Sequence, residues 1–241
     1  MDSRDFSLHS GERQTATEYG QIRADHRFRY EWAQKHIPAG AFGLDLFCGN
    51  GYGSWLLGRF CHVIGIDGSA EAIELANQKF HGVSTFFCVG RYPFDLPKQS
   101  FDYVVSLESI EHVEQGHVFF KQICQSLKIG GHFVFSTPCE DLLPHGATGN
   151  HFHYKHYTLK ETLDLADSFG LTLSEYCGQN VYEINSDGTQ GALLSEDEMS
   201  LMPAHPGQFI IVHAIKTSEM RDSGYITRRK RTGLLGRILC R

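Results

Sequence analysis

Short apolar runs alternate with segments of helical period along most of this chain, and that alternation limits the folds open to it. "AFGLDLF", "HVIGID", "STFFCVG", "FDYVVSL" and "HFVFSTP" each read as a short buried strand. Between them lie "GSWLLGRF", "AEAIELANQKF" and "HVFFKQICQSLK", which have the apolar spacing of helices. Ser69 is placed to cap the second of these, and Gly130-Gly131 to stop the third. A later helix, "LKETLDLADSFG", is capped by Thr158 and ended by Gly170, and "LTLSEYCG" and "QFIIVHAIK" add two strands. Upstream, residues 17 to 36 read as one helix rich in charge and aromatics. Strands alternating with helices predict an α/β fold, a mostly parallel, doubly wound sheet with helices on both faces. In such sheets ligands bind beyond the carboxyl ends of the strands, where strand order reverses.

The stretch "GLDLFCGNGYGS" carries the first functional signal. Its strand holds one acid, Asp45, and then breaks into glycines at 49, 51 and 53. Gly49 and Gly51 let the backbone turn sharply and approach a ligand, and the following helix points its free N–H groups at the same place. The second strand ends in Asp67, 18 residues after Gly49. A carboxylate there can accept both hydroxyls of an adenosine ribose. The plainer alternative is a glycine-rich turn beside a helix-capping acid.

Two cofactor classes use this geometry. A dinucleotide site wants G-x-G-x-x-G around a pyrophosphate. Here the turn reads G-N-G-Y-G, and Asp45 just upstream would repel a pyrophosphate but attract an ammonium. The residues favour S-adenosylmethionine (SAM).

Four segments in order, "LDLFCGNGYGS", "VIGIDGSAEAIELA", "FDYVVSLESIEHV" and "LKIGGHFVFSTP", resemble the motifs of class I SAM-dependent methyltransferases over roughly residues 40 to 175. The resemblance implies a Rossmann-like seven-stranded sheet whose last strand is antiparallel. It implies that Asp45, Cys48, Gly49, Asn50 and Gly51 surround the methionine moiety, that Asp67 holds the ribose with Gly68 close by, and that Gly90, Arg91, Leu107 and Glu108 border the adenine and the transferred methyl. Family members often carry Gly-Asp after the third strand; this chain has Gly90-Arg91, and an arginine cannot accept a hydrogen bond from adenine. Either backbone atoms read the adenine, or Arg91 stacks on it or points away. At both flanks, "GERQTATEYGQIRADHRFRYEWA" and "NHFHYKHYT" resemble methyltransferases of bacterial polysaccharide gene clusters, with His156 where Glu is usual.

Methyl transfer needs an acceptor atom held in line with the methyl, and a sugar hydroxyl also needs a base. Glu108, Glu111 and His112 follow the fourth strand, and His153 lies in the loop after the fifth. His153 or His112 is the expected base, with Glu111 orienting it or binding the acceptor. His112 can instead be a packed helix N-terminal residue. The helix "EYGQIRADHRFRYEWAQ" spaces Tyr19, Arg23, His26 and Tyr30 as one face, a lid from which Tyr30 or Arg29 reaches the site. "HFHYKHY" raises the question of a metal. In an extended segment His151 and His153 share a face that His156 does not, and nothing nearby completes a ligand set, so no metal is expected.

Composition bounds the rest. The 241 residues suit one domain, residues 1–217, with a basic tail at 218–241. No stretch approaches the ~20 apolar residues of a membrane span, and "MDSRDFSLHSGERQ" is no signal peptide. Seven cysteines without CxxC spacing read as reduced thiols of a cytoplasmic protein. The tail holds seven of the 22 Lys and Arg and two of the 28 Asp and Glu, leaving 15 basic against 26 acidic groups in the body, a net −11. An acidic body argues against nucleic acid as a partner. Arg228 to Arg231 followed by Leu234, Leu235, Ile238 and Leu239 suit an anionic membrane surface at the inner face, or a partner protein, through residues 226–241. The expected function is O-methylation of a sugar or glycan intermediate of surface-polysaccharide biosynthesis. O- or N-methylation of a quinone or other small metabolite is the alternative, and a non-catalytic SAM-fold binding module the third reading.

Overall fold

The structure is a computed structural model that describes residues 14–219. The "GER" of the leader, the basic cluster of the tail and Cys240 lie outside the described residues.

In chain order the elements are α1 (Ala24–His36), β1 (Phe42–Leu46), α2 (Tyr52–Leu57), β2 (His62–Asp67), α3 (Ala70–Lys79), β3 (Thr85–Val89) and β4 (Phe101–Ser106). Then come α4 (Gly116–Ser126), β5 (Leu127–Pro138), α5 (His145–Thr148), α6 (Leu159–Ala166), β6 (Leu171–Gln179), β7 (Tyr182–Ile184), β8 (Gln190–Leu193), β9 (Met202–Pro203) and β10 (Phe209–Lys216). The main sheet runs β3-β2-β1-β4-β5-β10-β6-β9. Strands β3, β2, β1, β4 and β5 are parallel, and β10 is antiparallel to both its neighbours, β5 and β6.

Alternation along the strands sorts the core into two layers. Leu44, Leu46, Val104, Phe133, Phe135, Ile210 and Val212 pack with α4 and α6, which bring Phe120, Ile123 and Leu163. Their strand neighbours Tyr103, Val105, Val134 and Ile211 pack with Tyr30 and Ala33 of α1 and Leu56 and Leu57 of α2 on the opposite face. The chain leaves β1 toward β2 and β3, then crosses back to β4 on the other side of β1. Strand order therefore reverses between β1 and β4, the crevice at which ligands meet such sheets.

Several boundaries differ from expectation. The main sheet has eight strands rather than seven, because β9 adds two residues beside β6, and β7 and β8 form a separate hairpin. These short pieces lack the apolar run that marks a strand in sequence. The first helix begins at Ala24 rather than near 17; Ile22 and Arg23 are extended, and residues 19–21 form an isolated 3-10 turn. The fourth helix stops at Ser126 rather than at the glycine pair. Gln125 and Ser126 give their carbonyls to the N–H groups of Gln99 and Ser100 at the entry to β4, and Leu127 pairs with Phe101. Sheet pairing overrides the helical period there. The caps fall where expected: Ser69 accepts from the Ala72 N–H, and Thr158 forms a capping box with Glu161.

Candidate active site

The three glycines after β1 do three different things. Gly49, at φ +55°, has nothing within 4 Å of where a Cβ would stand, so the turn opens there onto free space. Gly51, at φ +87°, packs: a Cβ would lie 2.6 Å from the Phe87 ring and 2.7 Å from the Ala76 methyl. At Gly53 a Cβ would run into the Tyr30 ring. That contact seats α1 on α2 and lets the Tyr30 hydroxyl donate to both Asp45 oxygens, at 3.1 and 3.3 Å.

Asp45 is thereby enclosed. Ser54 Oγ also donates to it at 2.6 Å, and the residue is 0% exposed. Burial pushes its carboxyl up to about 7, against the pull of these two donors. The same burial raises the Cys48 thiol, which is packed beneath the turn. Asn50 is also buried; its Nδ2 donates to the Ala16 carbonyl at 2.6 Å.

Asp67 ties the ends of β1 and β2 together. It accepts from the N–H of Gly49 and from the N–H of Ser69, each at 2.9 Å. Carboxylate oxygens can take more than one hydrogen bond, so the same group can also receive hydroxyls. The Gly90 N–H donates to the Asp67 carbonyl, and Arg91 Nε donates to the Gly68 carbonyl at 3.3 Å. Arg91 is thus turned back onto the β2–α3 turn.

The acceptor-side residues come from the ends of β4 and β5. Glu108 sits at φ +48°, a left-handed conformation that is rare for a residue with a side chain. Ser136 of β5 holds it there: Ser136 Oγ accepts from the Glu108 N–H at 2.9 Å and donates to Glu108 Oε1 at 2.7 Å. Phe47, at the end of β1, also has a positive φ of 60°. Both outliers stand at the strand-order reversal, where backbone strain marks functional sites.

Arg29 reaches the same place from α1. It is 1% exposed, and a buried guanidinium must be paired. Its Nε donates to Gln179 Oε1 at 2.6 Å, its other nitrogens lie 3.4 Å from Asp25 and 3.5 Å from Glu108, and its plane stands 4.3 Å from the centre of the Phe209 ring. Tyr19 and Arg23, expected on one helical face with His26 and Tyr30, precede the helix; Arg23 instead clamps Asp25 with two bonds of 2.6 and 2.7 Å. His26 meets the Tyr52 hydroxyl at 3.2 Å, and burial pushes it down to about 3.

Residues 110–112 form a 3-10 turn rather than a helix start, and the loop of His153 folds over it. The Tyr154 N–H donates to the Glu111 carbonyl at 2.7 Å, and His112 Nδ1 donates to the Phe152 carbonyl at 3.2 Å. Contrary to the extended reading, the loop bends so that His153 and His156 meet. His156 Nδ1 donates to the Leu143 carbonyl, leaving its Nε2 to accept from His153 Nδ1 at 2.7 Å, and Asn150 Nδ2 donates to His153 Nε2 at 2.9 Å. His153 is held neutral in one tautomer. Burial, then the neighbouring imidazoles, pushes its pKa down to about 2. His151 takes no part; its ring lies against Phe152.

Glu111 is the opposite case. It is 0% exposed, and neither carboxyl oxygen has a hydrogen-bond partner among the described residues. Burial, then the charge of Glu108, pushes it up to about 8. Two groups among the described residues bring three potential ligand atoms within 4.8 Å of one another: Glu111, His112 and His153 here, and His36, Glu175 and His213 beneath α1.

Sequence reasoning missed the groups that position these side chains: Ser54, Gln179 and the role of Gly53. No local pattern marks them, because their partners lie elsewhere in the chain.

Residues 44–135 match the family described as methyltransferase domain. That stretch of the chain, from β1 into β5, is similar to a methyltransferase domain. A Mycolicibacterium smegmatis protein named "Probable S-adenosylmethionine-dependent methyltransferase" is 28% identical over 147 residues, 59% of this chain and 56% of that protein. A ubiquinone biosynthesis O-methyltransferase of Bradyrhizobium diazoefficiens is 36% identical over 98 residues, 39% of this chain and 38% of that protein. The chain spans about half or less of the length of these curated relatives. The SAM-dependent methyltransferase structure from Mesorhizobium loti superposes with a TM-score of 0.56 at 21% identity, covering 77% of this chain and 97% of that one, and so shares the fold of the domain. Among the described residues, no helix of the domain is long and apolar enough to cross a membrane.

Proposed function

We propose that the protein methylates an oxygen of a hydroxyl-bearing acceptor, a sugar or glycan intermediate of surface-polysaccharide biosynthesis, with SAM as donor. The carrying observation is the polar face of Glu108, Glu111, His112, Asn150 and His153 at the carboxyl ends of β4 and β5, beside the open turn at Gly49. Residues that would hold SAM fit it: a side-chain-free turn at Gly49, with Asp67 fixed beside it by two backbone donors to receive the ribose hydroxyls. Tyr30, anchored on Asp45, and Arg29, anchored on Glu108, close the methionine end from α1. Bound SAM supplies a methyl already activated by its sulfonium.

The chain's own task is to orient the acceptor and manage its proton. The buried carboxyl of Glu111, at about 8 and without a partner among the described residues, is suited to hold an acceptor hydroxyl. His153 has both nitrogens engaged and stays neutral, so it supports the loop rather than accepting a proton at rest. A quinone-type phenol is the second reading, favoured by the similarity to a ubiquinone biosynthesis O-methyltransferase. The test has two arms. Calorimetric titration with S-adenosylhomocysteine should show binding that Asp67→Ala weakens. Labelled SAM offered with nucleotide sugars and with catechol-like phenols should label the sugars; labelling of phenols alone moves the acceptor to the second reading.

A further inference from the structure

Three imidazoles from three elements meet under the last turn of α1. The rings of His132 on β5 and His213 on β10 are parallel to within 4°, and Nδ1 of the first lies 2.9 Å from Nε2 of the second. His36, the last residue of α1, stacks on His213 at 24° with ring centres 4.6 Å apart. His213 is 4% exposed, and neither its Nδ1 nor the Nε2 of His36 has a hydrogen-bond partner among the described residues. A buried N–H without an acceptor is rarer and costlier than a bare lone pair. His213 therefore donates through Nε2 to His132 Nδ1, and all three rings are neutral. A further proton on His213 or His36 would make a buried N–H with nothing to receive it. A further proton on His132 would set its Nδ1–H against the Nε2–H of His213.

The groups packed around the set do not offset this. Glu175 of β6, the register partner of His213, has Oε1 3.4 Å from His36 Nδ1 but is exposed, and Lys35 of α1 repels a charge on His36. Tyr103 of β4, the register partner of His132, donates its hydroxyl to the His62 carbonyl at 3.0 Å, and burial keeps it protonated. Burial, then the neighbouring imidazoles, pushes His213 down to about 3; burial lowers His36 and His132 as well. A metal does not resolve the arrangement. Ligand atoms of His36, Glu175 and His213 lie within 4.8 Å of one another, but the stacking of the two rings keeps their lone pairs in separate planes.

We propose that His36, His132 and His213 form an acid-sensitive latch, in which protonation parts His36 from His213 and loosens the C-terminal end of α1 from β5 and β10. The same helix carries Tyr30 and Arg29, which hold Asp45 and Glu108. Acid and cofactor therefore pull α1 in opposite directions, a consequence that rests on the methyltransferase reading. Protons favour the open state because the closed one lowers each ring from 6.5. The closed state is fully favoured above that pH and loses ground below it, by up to about tenfold at pH 5.5 for each ring set free.

The experiment follows amide hydrogen exchange of the full-length protein at pH 7.5 and 5.5, corrected for the intrinsic effect of pH. From the higher pH to the lower, α1 amides should lose at least about tenfold in protection relative to those of α4. His36→Phe, which keeps a ring to stack on His213 but cannot titrate, should lessen that loss, and so should His213→Asn. His81→Gln, at an exposed histidine, should leave it as in the native protein. Asp45 and His26 titrate in native protein and variants alike, so each variant's own change between the two pH values isolates the latch. Equal losses in α1 and α4, or a loss in His36→Phe as large as the native one, overturn the latch. Saturating S-adenosylhomocysteine should restore α1 protection at pH 5.5; binding seen by calorimetry without that restoration overturns the link between latch and site. Failure to bind S-adenosylhomocysteine at pH 7.5 overturns the methyltransferase reading instead and leaves the latch to be judged by exchange alone.

Discussion

The two halves of the site treat their carboxylates in opposite ways. At the ends of β1 and β2, Asp45 and Asp67 have donors arranged around them: Tyr30 and Ser54 for one, the N–H groups of Gly49 and Ser69 for the other. At the end of β4, Glu111 is as deeply buried as Asp45 yet has no donor on either oxygen among the described residues. The first half is finished by the chain itself, as the proposed cofactor site requires. The second half is left unfinished by the described residues.

The largest expected effect breaks the unfinished half alone. Glu111→Gln should lower turnover by roughly 10²–10⁴-fold while S-adenosylhomocysteine affinity stays near that of the native protein. Equal loss of both would mean that the halves are not separable. His153→Ala should cost less turnover than Glu111→Gln, since both His153 nitrogens are already engaged; a larger loss would restore it as the base.

On the finished side, Asp67→Ala should weaken S-adenosylhomocysteine by roughly 1–3 kcal/mol, the value of charge-assisted contacts. Unchanged affinity by calorimetry would remove Asp67 from the cofactor site. Gly53→Ala should destabilise the fold by about 1–3 kcal/mol through overpacking against the Tyr30 ring. An unshifted denaturation midpoint would show that α1 yields freely.

The halves also differ in what pH does to them. Burial raises Glu111 from 4.5 to about 8, so above pH 7 the unfolded chain has released this proton while the folded chain still holds it. Stability falls wherever the folded state binds more protons. The native protein should therefore lose stability from pH 7 to about 8 and level off above. Histidines such as His26 and His153, with pKa values lowered from 6.5, are neutral in both states in that window and act only below it. Glu111→Gln should flatten most of the slope in a series of thermal melts. A loss of stability with rising pH below about pH 7 that survives in the variant belongs to Asp45, raised to about 7.

The smallest effect belongs to Arg91. Its bond to the Gly68 carbonyl turns it back onto the protein, so Arg91→Ala should change stability and S-adenosylhomocysteine affinity by no more than about 0.5 kcal/mol. A tenfold loss of affinity would show that it reads the adenine.

Much of this molecule was legible without a structure. Alternating apolar runs and caps such as Ser69 and Thr158 are local signals, acting within one turn or one strand, so the parallel sheet and the placement of Asp67 and Glu111 at strand ends followed from the sequence alone. What was not legible depends on partners far apart in the chain. Asp45 and Ser54 are nine residues apart, Glu108 and Ser136 twenty-eight, and Arg29 and Gln179 one hundred and fifty. The helical period of "HVFFKQICQSLK" gave way at Ser126 because β4 claimed its last carbonyls. The bend that joins His153 to His156 and presses their loop onto Glu111 is a product of packing between segments. Sequence determined which chemical groups stand at the mouth of the sheet, because periodicity and capping are encoded over a few residues. Only the tertiary structure decided which of them are satisfied and which wait for a ligand, because that depends on every element folded against them.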